Sequence, residues 1–209
     1  MEGGGSQHVD RRALAQAGRF TQEAFVRDSV LADPLAEAVL GRALRLGVRD
    51  WALAAGAVYQ NVWNALTGRP GGHGVRDYDL AYCDVADLSW EAEDAIIRRA
   101  AALFHDLARP VEVRNQARVH LWFEQKYGES RAPVTSIEAA LLGYAAPAHM
   151  VAVRMDGHGK LEVLAPNGMQ DMFEMVIRPG RVAACTPDFM AKAAHMQAQW
   201  PELRVETGL

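Results

Sequence analysis

Ala55-Gly56-Ala57-Val58-Tyr59-Gln60-Asn61-Val62-Trp63-Asn64, followed after a glycine-rich gap by Arg76-Asp77-Tyr78-Asp79-Leu80-Ala81-Tyr82, is the stretch that decides the fold. It reads as the end of a strand, a small-residue turn, a helix, a loop, and a second strand carrying two carboxylates. Asp77 and Asp79 are two apart, so in a strand both point to one face. Neighbouring carboxylates repel each other unless a cation lies between them. The pair is therefore a candidate hard-metal site. The small side chains at Gly56 and Ala57 let a phosphate approach the N–H groups that open the following helix.

Working outward, residues 51–58 form a small apolar run suited to a buried strand, and Val58 to Leu66 reads as a helix. Gly68 to Gly74 holds Pro70 and several glycines and is a loop. Its glycines read as flexibility rather than a phosphate cradle, because no helix opens directly after them. Residues 76–83 form the second strand. Asp84 and Asp87 flank Ser89 and read as turn or cap residues. Ser89 caps a long helix with Glu91, Glu93 and Asp94 in its first turns, near the positive end of the dipole. Pro110 ends that segment, and Val111-Glu112-Val113 alternates as a strand does. Val119-His120-Leu121-Trp122-Phe123 alternates too. Ser136 starts another helix, and 149–155 with 160–165 form a hairpin around Asp156-Gly157-His158-Gly159. A last helix covers about 187–199 and stops before Pro201.

Upstream, residues 9–48 are helical, with Asp33 capping a helix that begins at Pro34. Met1 to His8, with Gly3-Gly4-Gly5-Ser6, is a flexible tail rather than a signal peptide. The expected organisation is one α+β domain over residues 9–209: a mixed β-sheet flanked by helices, with a helical N-terminal part. Strands follow helices in an order that does not suit a doubly wound parallel sheet.

The 209 residues are half hydrophobic, enough to bury a sizeable core. A formal net charge of −4 lacks the basic balance of a general nucleic-acid binder. Only Cys83 and Cys185 occur, too few for a disulfide framework or a thiolate metal site, which suits a reduced, cytoplasmic setting. No apolar stretch is long enough to span a membrane.

Phosphoryl-type transfer asks for charge neutralisation and in-line positioning more than covalent chemistry. Magnesium supplies the first, favouring one or two carboxylates together with waters and phosphate oxygens. A third carboxylate from a neighbouring strand usually completes such a site, and Glu112 stands where the next strand is expected.

Taken together, several segments resemble a bacterial family of nucleotidyltransferase-like proteins related to the head domain of tRNA CCA-adding enzymes. They are Ala54-Ala55-Gly56 with Val62-Trp63-Asn64, then Asp77 to Tyr82, Leu88 to Asp94, and Val113 to Trp122. Ala165-Pro166 with Gly168-Met169 and Asp171 follows, and then Trp200-Pro201. They run in the family's order over roughly residues 35–205. The resemblance implies a nucleotidyltransferase fold. It implies metal carboxylates at Asp77 and Asp79, with Glu112 as the third, and a phosphate-contacting turn at Gly56 and Ala57. It implies magnesium, or manganese in its place, and a nucleoside triphosphate as substrate. Ala57 departs from the usual Gly or Ser and removes a hydroxyl contact to phosphate. Asn167 stands where the family often has an apolar residue. The Arg-Arg-Asp motif of CCA-adding enzymes is absent from the sequence.

The run Arg114-Asn115-Gln116-Ala117-Arg118-Val119-His120 has two readings. Its polar groups satisfy buried backbone, or Asn115 and Arg118 (or Arg114) contact the nucleotide. His120 reads as a structural histidine before a base, Asp171 as a turn anchor or a site residue, and Trp63, Trp122 and Trp200 as core aromatics. Two functions follow: a magnesium-dependent enzyme moving a nucleoside monophosphate to an RNA end, a protein or a small molecule, or a nucleotide-binding or protein-interaction module with the same fold and little turnover. Neither the acceptor nor the oligomeric state is written in the sequence.

Overall fold

The computed structural model describes residues 10–156, 158–180 and 187–207. Short helix α1 (Arg11–Ala15) is followed by α2 (Arg19–Leu31) and α3 (Pro34–Ala43). Strand β1 (Trp51–Ala54) leads into α4 (Gly56–Thr67), β2 (Tyr78–Tyr82), α5 (Trp90–Leu103) and β3 (Val111–Asn115). Then come α6 (Val119–Tyr127), α7 (Ile137–Leu141), β4 (Ala152–Met155) and β5 (Leu161–Leu164). The chain closes with α8 (Gln170–Phe173), β6 (Val176–Ile177), α9 (Pro187–Gln199) and β7 (Arg204–Val205). The mixed sheet has the order β3-β2-β1-β4-β5, with β2 and β3 parallel and the other pairs antiparallel. This is the expected α+β architecture. A small parallel pair, β6 with β7, was not foreseen. Among the described residues no helix is long and apolar enough to cross a membrane. The tail Met1–His8, Gly157 of the hairpin turn and Cys185 lie outside the described residues.

Strand alternation gives the sheet two unequal faces. Trp51, Leu53, Tyr78, Leu80, Val113, Val153 and Val163 point into the main core against α2, α3, α4 and α5. Ala52, Ala54, Ala81, Ala152 and Leu164 point the other way, under Ile137 and Leu141 of α7. That second face is lined mostly by alanine, and Asp79 belongs to it by its parity with Ala81.

Asp33 ties the helical N-terminal part to this frame. It caps α3 through Leu35 N and accepts from Asn61 Nδ2 (3.1 Å) and Tyr78 Oη (2.7 Å). The glycine-rich loop is packed rather than loose. A Cβ on Gly71 would lie 2.1 Å from the Ala32 carbonyl oxygen, and one on Gly74 would lie 2.4 Å from the Trp200 ring. Asn61 Oδ1 accepts from Gly72 N, and Asn64 links His73 O to Trp200 Nε1.

Three expectations are corrected. The first strand ends at Ala54, and the helix begins at Gly56, two residues before Val58. Val119–Phe123 is the first half of α6, not a strand. Asn115 Oδ1 accepts from Ala117 N and launches a 3-10 turn, Gln116–Arg118, that feeds the helix. Five alternating residues are too short a window to separate the two periods. Trp122 on α6 is 38% exposed, so only Trp63 and Trp200 of the three tryptophans are core.

Candidate active site

One pole of the sheet gathers most of the residues singled out in the sequence. Ala54, the last residue of β1, pairs with Asp79. The start of α4 therefore lies beside that carboxylate. Asp79 in turn pairs with Glu112 across the parallel β2–β3 ladder, so both side chains emerge on the alanine-lined face. Asp77 stands one residue before β2 rather than within it.

The charges act on one another. Burial pushes the Asp79 carboxyl up to about 6, and the negative charges of Asp77 and Glu112 push the same way against Arg114. Glu112 is half exposed and pairs with Arg114 at 3.9 Å, itself exposed. Among the described residues no three His, Cys, Asp or Glu side chains close to the spacing of a single metal ion. In kind, the donor set fits a hard cation: oxygen donors only, with Asp79 and Glu112 on one face and like charges acting on each other. Magnesium is usually held by one or two carboxylates, its other positions going to water and phosphate oxygens, so three-way closure is not a requirement.

The turn before α4 is unusual. Ala55 adopts φ 52° and ψ −123°, and as the N-cap it offers no side-chain acceptor. Its carbonyl receives Val58 N and Tyr59 N, which leaves the Gly56 and Ala57 amides without acceptors among the described residues. Orphan N–H groups at the positive end of a twelve-residue helix are an anion-binding arrangement. A Cβ on Gly56 would meet only the side-chain ends of Gln60, at 3.1 Å, and Tyr59. An added side chain there would therefore press only on flexible side-chain ends and not on backbone.

Residues the sequence did not single out line the same pole. Burial pushes the Tyr59 hydroxyl up to about 12, with Asp79 and Asp77 adding to the effect. The His149 ring stacks on Tyr59 at 4.4 Å, and burial followed by the Lys192 charge pushes it down to about 4. His149 is thus neutral at pH 7, and its Nε2 is buried without a partner, as is Gln60 Oε1. Burial also raises Tyr144, and so does Asp79. No local pattern reveals this group, because Tyr59 and His149 meet only through the fold.

Asn115 and Arg118 lie elsewhere. Asn115 pairs with Tyr82 at the other end of β3, about 10 Å along the strand from Glu112. Its backbone N donates to Glu93 Oε1, its Oδ1 accepts from Asp84 N, and its Nδ2 donates to Asp84 O. Arg118 makes an ion pair with Glu93 and donates through Nε to Leu88 O. Nucleotide contact by either residue requires giving up these bonds. His120 Nδ1 is buried without a partner beside a cavity of about 220 Å³ between α6 and α7. Asp171 is an anchor: Arg178 grips both of its oxygens, at 2.8 and 2.6 Å.

A family model described as nucleotidyltransferase matches residues 41–205. A solved structure described as an NMR structure revealing a CCA-adding enzyme head domain superposes with a TM-score of 0.68. Its identity is 22%, and the alignment covers 89% of this chain and 96% of that one. A second, described as the structure of tRNA-processing enzyme complex 3, gives a TM-score of 0.39 at 17% identity, over 68% of this chain and 35% of that one. Comparison with curated protein sequences finds no match.

Proposed function

The chain belongs to the nucleotidyltransferase family, and from that premise we propose that it transfers a nucleoside monophosphate from a nucleoside triphosphate to an acceptor, with magnesium or manganese as cofactor. One observation carries the reading: the β1–β2–β3 register sets the free Gly56 and Ala57 amides, Asp79 and Glu112 at a single pole. In this reading the two amides bind triphosphate oxygens. Asp77 and Asp79 would hold the divalent ion, with Glu112 as the third carboxylate. The ion would neutralise phosphate charge and favour attack on the α-phosphate. Asp79 must lose its proton to serve, so transfer rises with pH through about 6. Asn115 and Arg118 reach the nucleotide only if it draws them from their internal partners.

A second reading, a nucleotide-binding module without turnover, draws on Glu112, whose nearest cation is Arg114 and which closes no three-carboxylate group. The two separate in one experiment. The purified chain is incubated with α-labelled nucleoside triphosphates, magnesium and cell extract, and the products are resolved into RNA, protein and small molecules. The transfer reading expects label in one fraction, and expects Asp77→Ala and Asp79→Ala each to remove it while the far-ultraviolet spectrum stays intact. Label that persists in both variants overturns the assignment of the carboxylates. Nucleotide binding with no label in any fraction favours the module.

A further inference from the structure

The loop before β2 carries a second feature that the transfer reading leaves unused. A cavity of about 330 Å³ is lined by Gly74, Val75, Arg76, Arg109, His195 and Gln199. No acidic residue among the described residues lines it. Arg76 donates to His195 Nε2 at 2.6 Å, and Arg109 Nη1 donates to the Gly72 and Val75 carbonyl oxygens. Neither guanidinium has a carboxylate partner among the described residues. Both line the same cavity, Arg109 standing also beside Tyr78, which donates to Asp33, and an anion held between the two guanidiniums is favoured by their charge. Guanidinium suits phosphate because its planar fork can donate two parallel hydrogen bonds.

The cavity is built, not incidental. His195 and Gln199 are one helical turn apart on α9, so they share a face. The opposite wall is fixed: Gly74 has no room for a side chain against Trp200, and Arg109 bolts the loop carbonyls. In a chain of net charge −4, this local positive character runs against the whole. The place is also informative. Arg76 immediately precedes Asp77, and Arg109 stands just before β3, which carries Glu112, so the cavity borders the carboxylate pole.

We propose that this cavity is a phosphate-binding subsite, distinct from the Gly56–Ala57 turn. The phosphate belongs either to the acceptor or to the nucleotide's own tail. Binding here needs neither metal nor nucleotide, so it can fail with transfer intact and survive if transfer fails.

Inorganic phosphate is titrated calorimetrically into the full chain at pH 7 and low salt, without magnesium. Saturable binding at one site is expected. Arg76→Glu and His195→Glu, both at exposed positions, should each weaken it by at least about tenfold while thermal melting stays unchanged. Absence of saturable binding, or binding by both variants as tight as that of the wild type, overturns the proposal. ATP is then titrated into phosphate-saturated protein. Competition that disappears in Arg76→Glu assigns the subsite to the nucleotide's phosphates, and ATP affinity indifferent to phosphate assigns it to an acceptor phosphate. Both results presuppose the site.

Discussion

The two ends of β3 treat polar side chains in opposite ways. At one end Glu112 is half exposed, its nearest cation is 3.9 Å away, and its charge disturbs Asp79. At the other end Asn115 is 2% exposed and uses its backbone and both amide atoms on Glu93, Asp84 and Ala117. Buried polar groups with every bond made are part of the frame. Carboxylates left facing one another are costly to the frame, and such perturbed groups cluster at functional sites. Substitutions at the two ends should therefore fail in different ways.

The largest effect is expected from Asp79→Asn, an almost isosteric loss of charge. Transfer should fall by at least about a thousandfold, since charge neutralisation at phosphate is worth several kcal/mol. The folded protein should become more stable. The Asp79 carboxyl titrates at about 6 in the fold against 3.8 as its reference value, so its ionised form opposes folding. The sign follows: above pH 6 the wild type bears the full cost, and below 3.8 both forms are protonated and the cost vanishes. Chemical denaturation without metal should show Asp79→Asn ahead by about 1–2 kcal/mol at pH 8, a discounted figure because the side chain is only partly covered, with no difference near pH 3. A variant less stable at pH 8 would break the contrast between the ends.

Asn115→Ala should do the reverse. It orphans Asp84 N, Asp84 O and Ala117 N in one step. Ala117 N is buried and the two Asp84 groups partly so; a buried orphan costs about 1–3 kcal/mol and a part-buried one less, so a loss of about 3 kcal/mol in all is expected after relaxation. For a chain of this size that lowers the melting temperature by roughly 6–12 °C. Transfer per folded molecule, measured well below the melting point, should stay within about threefold. A collapse of activity without loss of stability would move Asn115 from the frame to the nucleotide.

The same contrast explains what could be read from the sequence. Caps were legible because their chemistry is local. Asp33 before Pro34, Ser89 before Trp90 and Ser136 before Ile137 each accept from an N–H two or three residues on. The pairing of Asp79 with Glu112 on neighbouring strands was legible because strand order and parity are short-range rules, whereas Asp77 falls just before β2 and outside that parity. What was missed depends on distant partners. Helix α6 starts from a turn that Asn115 holds, and Asn115 is itself held by Asp84, some thirty residues earlier. The glycine-rich loop looks flexible in sequence, yet Ala32 and Trp200 close on it from either end of the chain. Stacking of His149 on Tyr59 likewise joins positions that no window contains.

The smallest expected effect tests whether the carboxylate pole also stores backbone strain, which the Asn115 end does not, since Asn115 sits at an ordinary φ of −79°. Ala55, between β1 and α4, has φ 52° and ψ −123°, a conformation glycine adopts freely and alanine does not. Relief of that strain is worth roughly 1–2 kcal/mol, and the greater freedom of glycine in the unfolded chain takes back roughly 0.4–1 kcal/mol. Ala55→Gly should therefore raise stability by about 0.5–1 kcal/mol, read as a small rise in denaturation midpoint at constant slope. Ala55 also packs against both apolar clusters, so its methyl group opposes the gain. A net loss would show that this packing outweighs the strain. If the strained turn holds the Gly56 and Ala57 amides in place for triphosphate, the same substitution should raise the KM for nucleotide more than it changes kcat, because it loosens a binding group without touching the carboxylates.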